Sequence, residues 1–334
     1  MALTVFARIR LFIVVRFLRV VFGAMSSKRA LRIMNVVTKP KGWHHSWMQQ
    51  EPKTRSYIVG RNIANQSKEE IKMRMKNANV IVFYIHGGGF RVGSATMYMT
   101  AFVRWIKALE EQGLSCVIYS AEYRLAPDHR FPAAPLDCIE CYRSVIEDYG
   151  VDPKKIIMGG DSAGGTLTLE TLYHTHPDIH SSFNTVKLPR PAGLLMVSPY
   201  TGDDQSETTS SSQTNLSHDY ISEATKEKMA EYLPLTKDHT PYTYLDLSVN
   251  YAQILPHIVC VAVGGKEVLL DAGLQFAKRC REANLKVTLV REDSVHDYFM
   301  LGYLFTSDKN VVKRAVSSVV DLAQAVIDRQ KIEN

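Results

Sequence analysis

The stretch KIIMGGDSAGG, residues 155–165, decides the fold of this chain. Its first residues form an apolar run that predicts a buried strand, and the residues after the serine predict that a helix begins there. Between strand and helix, GDSAG (160–164) has the G-x-S-x-G pattern of a nucleophile elbow, a sharp turn that exposes the serine hydroxyl. The stretch therefore predicts an α/β sheet with Ser162 at the carboxyl end of a core strand.

The glycines on either side of Ser162 fit the same turn. The turn is too tight for side chains two residues before and after the serine, which are the positions of Gly160 and Gly164. The serine is then held in a strained backbone conformation, and the N-terminus of the next helix stabilises developing negative charge. In this strand-to-helix context we interpret Ser162 as a nucleophile, although G-x-S-x-G alone is a common pattern.

Strand-like and helix-like segments alternate from residue 79 onwards. The strand candidates are short, rich in Val and Ile and nearly continuously apolar, which is typical of buried parallel strands. They are Val80–Ile85, Ser115–Ala121, Lys155–Met158, Ala192–Ser198, His257–Val263 and Lys286–Arg291. Helix candidates lie at 97–112, 135–148, 163–174, 271–283 and 310–331. The alternation predicts a doubly wound, mostly parallel sheet with right-handed crossovers.

Two segments fall outside this alternation. Residues 1–50 precede it, and residues 201–255 interrupt it with a Ser/Thr-rich loop followed by a helical stretch near 222–232. Insertions of this kind tend to lie over the ligand crevice at the carboxyl ends of the strands. We therefore expect one α/β domain over 51–334, with a helical cap built from the N-terminal segment and the insertion at about 201–255.

A serine hydroxyl is a weak nucleophile, so it needs a base and a group that orients the base. Of the 11 histidines, His296 follows Ser162 and comes directly after a late core strand, where it can reach the serine. The acid lies between the two in this fold. We favour Asp271, which follows the strand before; Glu267 on the same loop is an alternative, as are the flanking carboxylates Asp293 and Asp297.

Three successive glycines follow the first strand candidate, in YIHGGGFRVG (84–93). The oxyanion of a tetrahedral intermediate needs preorganised donors, each of which contributes about 3 kcal/mol to catalysis. Backbone N–H groups serve this purpose where no side chain blocks the approach, so the glycines predict donors near Ser162. The N–H group of Ala163, just after the nucleophile, is another.

Three motifs in this order resemble the hormone-sensitive-lipase family of α/β-hydrolases. They are HGGGF (86–90), YRLAPDHRFPAA (123–134) and GDSAGG (160–165), and the resemblance covers roughly residues 79–330. It implies the α/β-hydrolase fold, mostly carboxylesterase activity on short to medium acyl chains, and an N-terminal cap. No metal or organic cofactor is expected.

The resemblance also implies roles for single residues. Ser162 is the nucleophile, His296 the base, and Asp271 the acid within a [DE]-x-L-x-D-like segment, EVLLD (267–271). The oxyanion donors are the N–H groups of Gly88, Gly89 and Ala163, while Gly87 aids the turn and the ring of His86 holds the loop by a hydrogen bond. The sequence departs from the family where Glu267-Val268 stands for the frequent Asp-Pro, and where HDYF (296–299) stands for the commoner His-Gly-Phe.

The N-terminal stretch IRLFIVVRFLRVVFGAM (9–25) is apolar and basic. Arg16 and Arg19 interrupt the run, so neither a plain membrane span nor a cleaved signal peptide fits. A basic arc of Arg8, Arg16 and Arg19 opposite Leu, Ile, Val and Phe predicts an interfacial helix on an anionic membrane, or else a helix that only packs on the enzyme body. The stretch also resembles the membrane-associated deacetylases of the family, the arylacetamide and steryl-acetate types. This resemblance implies an intracellular, membrane-associated protein, for example on a membrane of the endoplasmic-reticulum type, and a cytoplasmic location is the alternative.

The charge and the cysteines narrow the class of protein further. The net charge of +6 comes from the N-terminus, because residues 1–50 carry nine Lys/Arg and no Asp or Glu, leaving 31 basic and 34 acidic residues elsewhere. No basic stripe interleaved with aromatics indicates a nucleic-acid surface. Five cysteines, an odd and sparse set, favour a reducing intracellular compartment over a disulfide framework. The CIEC spacing (138–141) lies in a helix candidate and has no second pair, so we interpret both cysteines as structural.

The residues taken together predict a serine hydrolase that cleaves a small lipophilic ester through an acyl-enzyme, for example an acetyl ester. The same groups serve amide or formamide hydrolysis, and a bound alcohol instead of water gives acyl transfer. A non-catalytic small-molecule-binding protein on this scaffold is a further alternative. The presence of His296 argues against it, because family-like hormone receptors of plants lose the catalytic histidine.

Overall fold

The apolar strand candidates form one sheet in the computed structural model, which describes residues 5–181, 183–201, 210–233 and 250–333. Eight strands of the described ranges make up this sheet. They are β1 (Met48–Gln50), β2 (Tyr57–Val59), β3 (Val80–Ile85), β4 (Cys116–Ala121), β5 (Ile156–Asp161), β6 (Gly193–Val197), β7 (Ile258–Gly264) and β8 (Lys286–Glu292).

The sheet is mostly parallel, as the βα alternation predicts. Its strand order is β1-β2-β4-β3-β5-β6-β7-β8, and only the pairs β1–β2 and β2–β4 are antiparallel. Side chains of β3 alternate between two apolar cores, with Ile81, Phe83 and Ile85 in one and Val80, Val82 and Tyr84 in the other. Because both faces are covered, the strand is apolar at every position and not at every second one.

Helices cover both faces of the sheet. Their bounds are α1 (Val5–Arg19), α2 (Ser27–Val37), α3 (Lys68–Asn77), α4 (Met99–Glu111), α5 (Ala133–Arg143), α6 (Ala163–Thr175), α7 (Ser210–Thr214), α8 (Glu223–Met229), α9 (Tyr251–Ile254), α10 (Leu270–Glu282), α11 (Tyr298–Phe305) and α12 (Lys309–Glu333). A π-helical turn, Val20–Ala24, continues α1, and another, Ser144–Asp148, continues α5.

Three features differ from the sequence prediction. The antiparallel strands β1 and β2 have three residues each, too short for a periodic pattern. Strand β8 is the edge strand and is only partly buried, not fully buried as its apolar pattern suggests. Helix α11 was not among the helix candidates, because its eight residues, YFMLGYLF, contain no charged residue and show no helical alternation of polar and apolar positions.

The N-terminal segment packs on the domain together with the insertion. Residues Val15, Leu18, Val21 and Phe22 are buried in the core shared with α4 and α12. At the π-helical turn, a Cβ on Gly23 would lie 3.3 Å from both Ala224 Cβ and Ser222 Oγ, so this turn runs close along α8. No helix of the described ranges is long and apolar enough to cross a membrane. Residues 202–209 and 234–249 of the predicted cap lie outside the described residues.

A buried arginine joins the N-terminal segment to the short turn, 230–232, that follows α8. The Arg91 side chain is 2% exposed and lies 3.3 Å from the Glu231 carboxylate. It also donates to Ser27 Oγ at 2.8 Å and to the Phe22 carbonyl at 3.1 Å. Ser27 in turn donates to Glu231 at 2.6 Å. A guanidinium group, with five donors in a planar fork, suits such a junction between several acceptors.

We expect Arg91→Met to lower the free energy of unfolding by about 2 kcal/mol or more, because Glu231 and the carbonyl groups then lose their buried donor. Urea unfolding of the full chain measures this change. The control is Arg61→Met, which removes an exposed ion pair with Glu110 and should cost clearly less. Equal losses in the two variants would contradict the role given to Arg91.

Candidate active site

Ser162 lies in a sharp turn between β5 and α6. Its backbone has φ 50° and ψ −119°, a conformation that L-residues rarely adopt, and α6 begins with the next residue. The Ser162 N–H donates to the Val197 carbonyl at 3.0 Å, which ties the turn to the neighbouring strand. A Cβ on Gly164 would lie 2.2 Å from the Ile85 carbonyl oxygen. The turn therefore packs directly against the end of β3, where the glycine-rich loop starts.

The glycine-rich loop is hydrogen-bonded to Asp161, the residue before Ser162. The Asp161 carboxylate accepts one hydrogen bond from the Gly87 N–H at 3.0 Å and one from the Tyr98 hydroxyl at 2.6 Å. Gly88 has φ 113°, and a Cβ there would lie 2.1 Å from the Val92 carbonyl oxygen. Burial raises the pKa of Asp161 to about 6, although the donors from Tyr98 and Gly87 favour the charged form.

His86 stabilises this loop through a hydrogen bond to Gly87 and does not line the cavity next to Ser162. Its Nδ1 lies 2.7 Å from the Gly87 carbonyl oxygen, and its ring stacks on Tyr123 at 4.3 Å. The Tyr123 hydroxyl donates to the His86 carbonyl at 2.8 Å. Burial lowers the pKa of His86 to about 4, so the ring is neutral at pH 7 and its Nδ1–H donates to Gly87.

His296 lies beyond β8 and is fully buried between two carboxyl groups. Its Nδ1 is 3.5 Å from Glu267 Oε2, and its Nε2 is 3.4 Å from Asp297 Oδ2. Burial alone lowers the pKa of His296, but Asp297, Glu267 and Asp219 outweigh it and raise the pKa to about 10. Within the described part of the chain neither ring nitrogen forms a hydrogen bond, and this includes one to Ser162.

The expected acid, Asp271, does not face His296 in the structure, whereas the alternative Glu267 does. Glu267 sits on the loop that directly follows β7, and its carboxylate accepts a 2.6 Å hydrogen bond from Ser198 Oγ. Asp271 lies one turn further, in the first turn of α10, where its carboxylate accepts from the Ser211 N–H at 3.0 Å. The two are four positions apart, so the helix carries Asp271 away from the histidine and against the insertion.

The two other acidic candidates also differ in position. Asp293 is exposed and pairs with Lys266 at 2.7 Å. Asp297 is buried and, as described above, approaches His296 from the Nε2 side and not from the Nδ1 side that an orienting acid occupies.

Sequence reasoning missed Asp219, a buried residue of the insertion. Its Oδ2 accepts from the Val268 N–H at 2.7 Å, and its Oδ1 accepts from the His296 N–H at 3.2 Å. One carboxylate therefore joins the loop that carries Glu267 to the loop that carries His296. Burial raises the pKa of Asp219 to about 6. No motif marks this residue, because its role depends on two loops that are distant in sequence.

Arg19 connects this insertion to the N-terminal helix. The Arg19 Nε donates to the Asp219 carbonyl oxygen at 2.6 Å, and its Nη2 donates to the Leu216 carbonyl oxygen. Arg19 was expected on the outward basic arc of α1. The structure turns it inward, so Arg8 and Arg16 remain as exposed arginines of that helix.

A narrow cavity brings most of the candidate residues together. Gly88, Gly89, Ser162, His296 and Asp297 line it. The other lining side chains are mainly apolar and come from the body, the N-terminal segment and the insertion: Leu18, Phe22, Met34, Met97, Tyr98, Tyr220, Ile221, Thr225, Met229 and Leu301. Its volume is about 20 Å³, which holds about one water molecule. Ala163, whose N–H group was expected as a donor, follows Ser162 as the first residue of α6.

Other features of the described residues do not compete with this site. A groove of about 900 Å³ between α4 and α12 is larger, but none of the candidate residues lines it. No group of three or more His, Cys, Asp or Glu side chains within the described ranges is arranged to hold a metal ion. Cys138 and Cys141 are buried along α5, where burial raises the pKa of both thiols.

Comparisons with known proteins agree with this architecture. A family model described as alpha/beta hydrolase fold matches residues 82–300. An esterase of Acinetobacter venetianus is 27% identical over 270 residues, which are 79% of this chain and 80% of that esterase. An arylacetamide deacetylase of Oryctolagus cuniculus is 34% identical over 128 residues, 36% of this chain and 31% of that protein.

Solved structures share the fold over almost the whole chain. A hormone-sensitive lipase from a metagenome library superposes with a TM-score of 0.71 at 22% identity, covering 93% of this chain and 97% of that one. An esterase from the bacterial hormone-sensitive lipase family gives a TM-score of 0.69 at 22% identity, with 98% and 99% covered.

Proposed function

Because the chain belongs to the alpha/beta hydrolase fold family, we propose that it is a serine hydrolase that cleaves carboxylic esters through an acyl-enzyme. The predicted α/β-hydrolase fold is confirmed, and the solved hormone-sensitive lipase that shares this fold is in line with the motif resemblance. That the chain is a carboxylic ester hydrolase is supported by the esterase that matches most of its length. One observation carries the proposed mechanism: Ser162, His296 and the Gly88–Gly89 backbone line the same apolar cavity.

The proposed reaction has two steps of the same kind. Ser162 Oγ attacks the ester carbonyl carbon while His296 Nε2 takes the hydroxyl proton, and the carbonyl oxygen becomes an oxyanion. The intermediate then collapses to the acyl-enzyme as the alcohol leaves with the proton from His296. Water then attacks the acyl carbonyl carbon while His296 Nε2 takes a proton from it. Collapse of this second intermediate releases the carboxylic acid, and the proton from His296 restores the Ser162 hydroxyl.

Backbone groups stabilise the oxyanion in this proposal. Gly88 and Gly89 directly follow Gly87, whose N–H group is held by Asp161, and Ala163 is the first residue of the helix that begins just after the serine. Since these donors are fixed before the substrate arrives, they need no reorganisation when the charge develops. The Gly88 conformation supports this role, because an alanine there would collide with the Val92 carbonyl group.

Glu267 replaces Asp271 as the orienting acid of the proposed triad. It faces Nδ1 of His296, and the hydrogen bond from Ser198 fixes its carboxylate. A carboxylate on this side holds the tautomer that has the proton on Nδ1 and the lone pair on Nε2. It also stabilises the imidazolium that forms when Ser162 is deprotonated.

The lining of the cavity supports a small, lipophilic substrate. Three of its side chains are methionines, Met34, Met97 and Met229, whose flexible thioethers can adapt to an acyl group. A cavity of about 20 Å³ does not hold an ester as it stands, so cap side chains must move when the substrate enters. We therefore propose short acyl groups, acetyl esters above all, as the substrate class.

Amide hydrolysis is the second candidate function. It is favoured by the arylacetamide deacetylases among the relatives, of which the Mus musculus protein is 41% identical over 92 residues, covering 26% of this chain and 22% of that protein. The same serine, base and oxyanion donors serve both bonds, but an amide needs a protonated leaving amine. Parallel assays on p-nitrophenyl acetate and 4-nitroacetanilide distinguish the two activities.

We further propose that α1 contacts an anionic membrane surface. Its outward face exposes Ile9 (53%), Phe12 (60%) and Ile13 (59%), and Arg8 and Arg16 lie on the same exposed face. Arg16 lies 5.2 Å from the centre of the Phe12 ring. Exposed apolar side chains next to arginines, in a segment without acidic residues, match the boundary between acyl chains and anionic headgroups.

The proposed function predicts that the full chain hydrolyses p-nitrophenyl acetate and that Ser162→Ala abolishes this turnover. Measuring the initial rate of p-nitrophenol release over a series of acyl-chain lengths also tests the proposed preference for short acyl groups. Wild-type turnover no faster than that of Ser162→Ala would refute the enzyme, and a maximum at long chains would refute the substrate class.

The assignment of the acid predicts different effects for two conservative variants. Glu267→Gln should lower kcat by roughly 10³- to 10⁴-fold, as a wrong tautomer does in serine proteases. Asp271→Asn should lower kcat less than roughly 10-fold, because it changes only a helix contact with the insertion. The two substitutions remove the same charge from residues four positions apart, so the reverse order of effects would restore Asp271 as the acid.

The membrane proposal predicts that the full chain sediments with phosphatidylserine-containing vesicles. The double variant Phe12→Ser/Ile13→Ser should weaken this binding roughly 10-fold or more, because it removes apolar area from the interface. Met73→Ser/Ile332→Ser removes two exposed apolar side chains elsewhere and is the matched control. Equal binding of both double variants and the wild type would show that α1 only packs on the domain.

A further inference from the structure

The nitrogen of His296 that must accept the Ser162 proton faces a carboxyl group instead. Asp297 Oδ2 lies 3.4 Å from Nε2, while Glu267 Oε2 lies 3.5 Å from Nδ1 on the opposite edge of the ring. Nδ1 and Nε2 thus have equivalent neighbours, although the proposed mechanism uses only Glu267. Asp297 has no role in that proposed mechanism, although it is as close to the ring as Glu267.

The position of Asp297 is fixed by its surroundings. Its backbone has φ 55° and ψ 23°, the left-handed region, just before α11 begins. Its N–H donates to Ser198 Oγ at 3.1 Å, and its Oδ2 accepts from the Tyr220 hydroxyl at 3.0 Å. Ser198 also donates to Glu267, so the two carboxyl groups on either side of the imidazole share one anchor. Asp297 is 4% exposed and lines the cavity with Ser162.

Several acidic groups crowd around the same imidazole. Glu267 comes from the loop after β7, Asp161 from the end of β5 and Asp219 from the insertion, and all three are buried. The Tyr220 hydroxyl contacts Asp297 directly, and the hydroxyl groups of Tyr84 in β3 and of Tyr98 before α4 are near enough to feel its charge. Burial raises the pKa of Asp297 well above its usual range, and Asp161 and Glu267 add to this rise while His296 opposes it.

We propose that Asp297 is a positioning residue that competes with the Ser162 hydroxyl for Nε2 of His296 and so sets the pH range in which His296 acts as a base. The inference rests on the proposed function. It concerns the resting enzyme, in which the Asp297 carboxyl group and Nε2 of His296 share a single proton. Whether this proton is bound to Asp297 or to Nε2, the lone pair of Nε2 is occupied and cannot accept the proton of Ser162.

Loss of that proton makes the site competent. The Asp297 carboxylate then stays hydrogen-bonded to Tyr220, the imidazole keeps its proton on Nδ1 toward Glu267, and Nε2 is free to accept from Ser162. The buried carboxyl groups around the ring move the loss of this proton to higher pH, in line with a pKa of about 10 for His296. Activity should therefore rise through the alkaline range instead of reaching a plateau near the usual imidazole pKa.

The pH profile of kcat/KM for p-nitrophenyl acetate tests this directly, because it reports the base in the free enzyme. Asp297→Asn keeps an acceptor for Tyr220 and removes the charge, and Asp297→Gly also relieves the left-handed backbone. Both should move the acidic limb down by roughly one pH unit or more, the usual effect of removing a close opposite charge. Activity at pH 7 then rises in both variants.

Asp293→Asn is the matched control. It removes the same charge from the same loop, but Asp293 is exposed and pairs with Lys266, so its profile should coincide with that of the wild type. Should Asp297→Gly fold poorly, Asp297→Asn alone decides.

The outcomes separate this inference from the proposed function. Wild-type turnover no faster than that of Ser162→Ala would remove the proposed function and this inference with it. Turnover above that of Ser162→Ala, with the acidic limb of Asp297→Asn at the wild-type pH, would overturn only the role of Asp297. A uniform fall in kcat/KM at every pH would likewise overturn it, because a merely structural residue acts in this way.

Discussion

The hydrogen bonds that Asp161 accepts from Gly87 and Tyr98 hold the glycine-rich loop against the nucleophile turn. The contact is so close that a Cβ on Gly87 would lie 2.1 Å from the Asp161 carboxylate. Ser162 is strained, and its neighbour must therefore be well anchored for the strain to persist. The same carboxylate provides that anchor and sets where the Gly88 and Gly89 N–H groups stand relative to the serine. Asp161 is thus as important to the geometry of the site as the glycines themselves.

A second set of contacts links the surface of the molecule to the histidine side of the site. Arg19 of α1 holds the backbone of the insertion at Leu216 and Asp219. The Asp219 carboxylate then binds the backbone next to Glu267 and that of His296. The helix proposed to meet the membrane is therefore connected, through one arginine and one carboxylate, to the loop of Glu267 and to the loop of His296. The N-terminal helix, the insertion and the proposed catalytic groups are thus linked by direct hydrogen bonds.

Local patterns predicted the parts of the site that depend on local geometry. Ser162 follows from a strand, a glycine-flanked turn and a helix that are contiguous in sequence, and the strand candidates follow from being apolar on both faces. The sequence could not show that Glu267 rather than Asp271 faces His296. The two residues share a loop, and the point at which α10 begins decides which of them faces the histidine. Asp219 and Arg19 carry no pattern, since their partners lie on segments that meet only in the folded chain. The short strands β1 and β2 gave no periodic signal.

The central claim is that Ser162 is the nucleophile of an acyl-enzyme mechanism, and covalent trapping tests it most directly. The full chain would be treated with diethyl p-nitrophenyl phosphate, digested, and the peptides analysed by mass spectrometry to find the diethylphosphoryl group. We expect one equivalent of the group, on the peptide that contains Ser162, together with loss of esterase activity in the same proportion. Activity that persists after complete labelling of Ser162, or a stoichiometric adduct on another residue, would contradict the account.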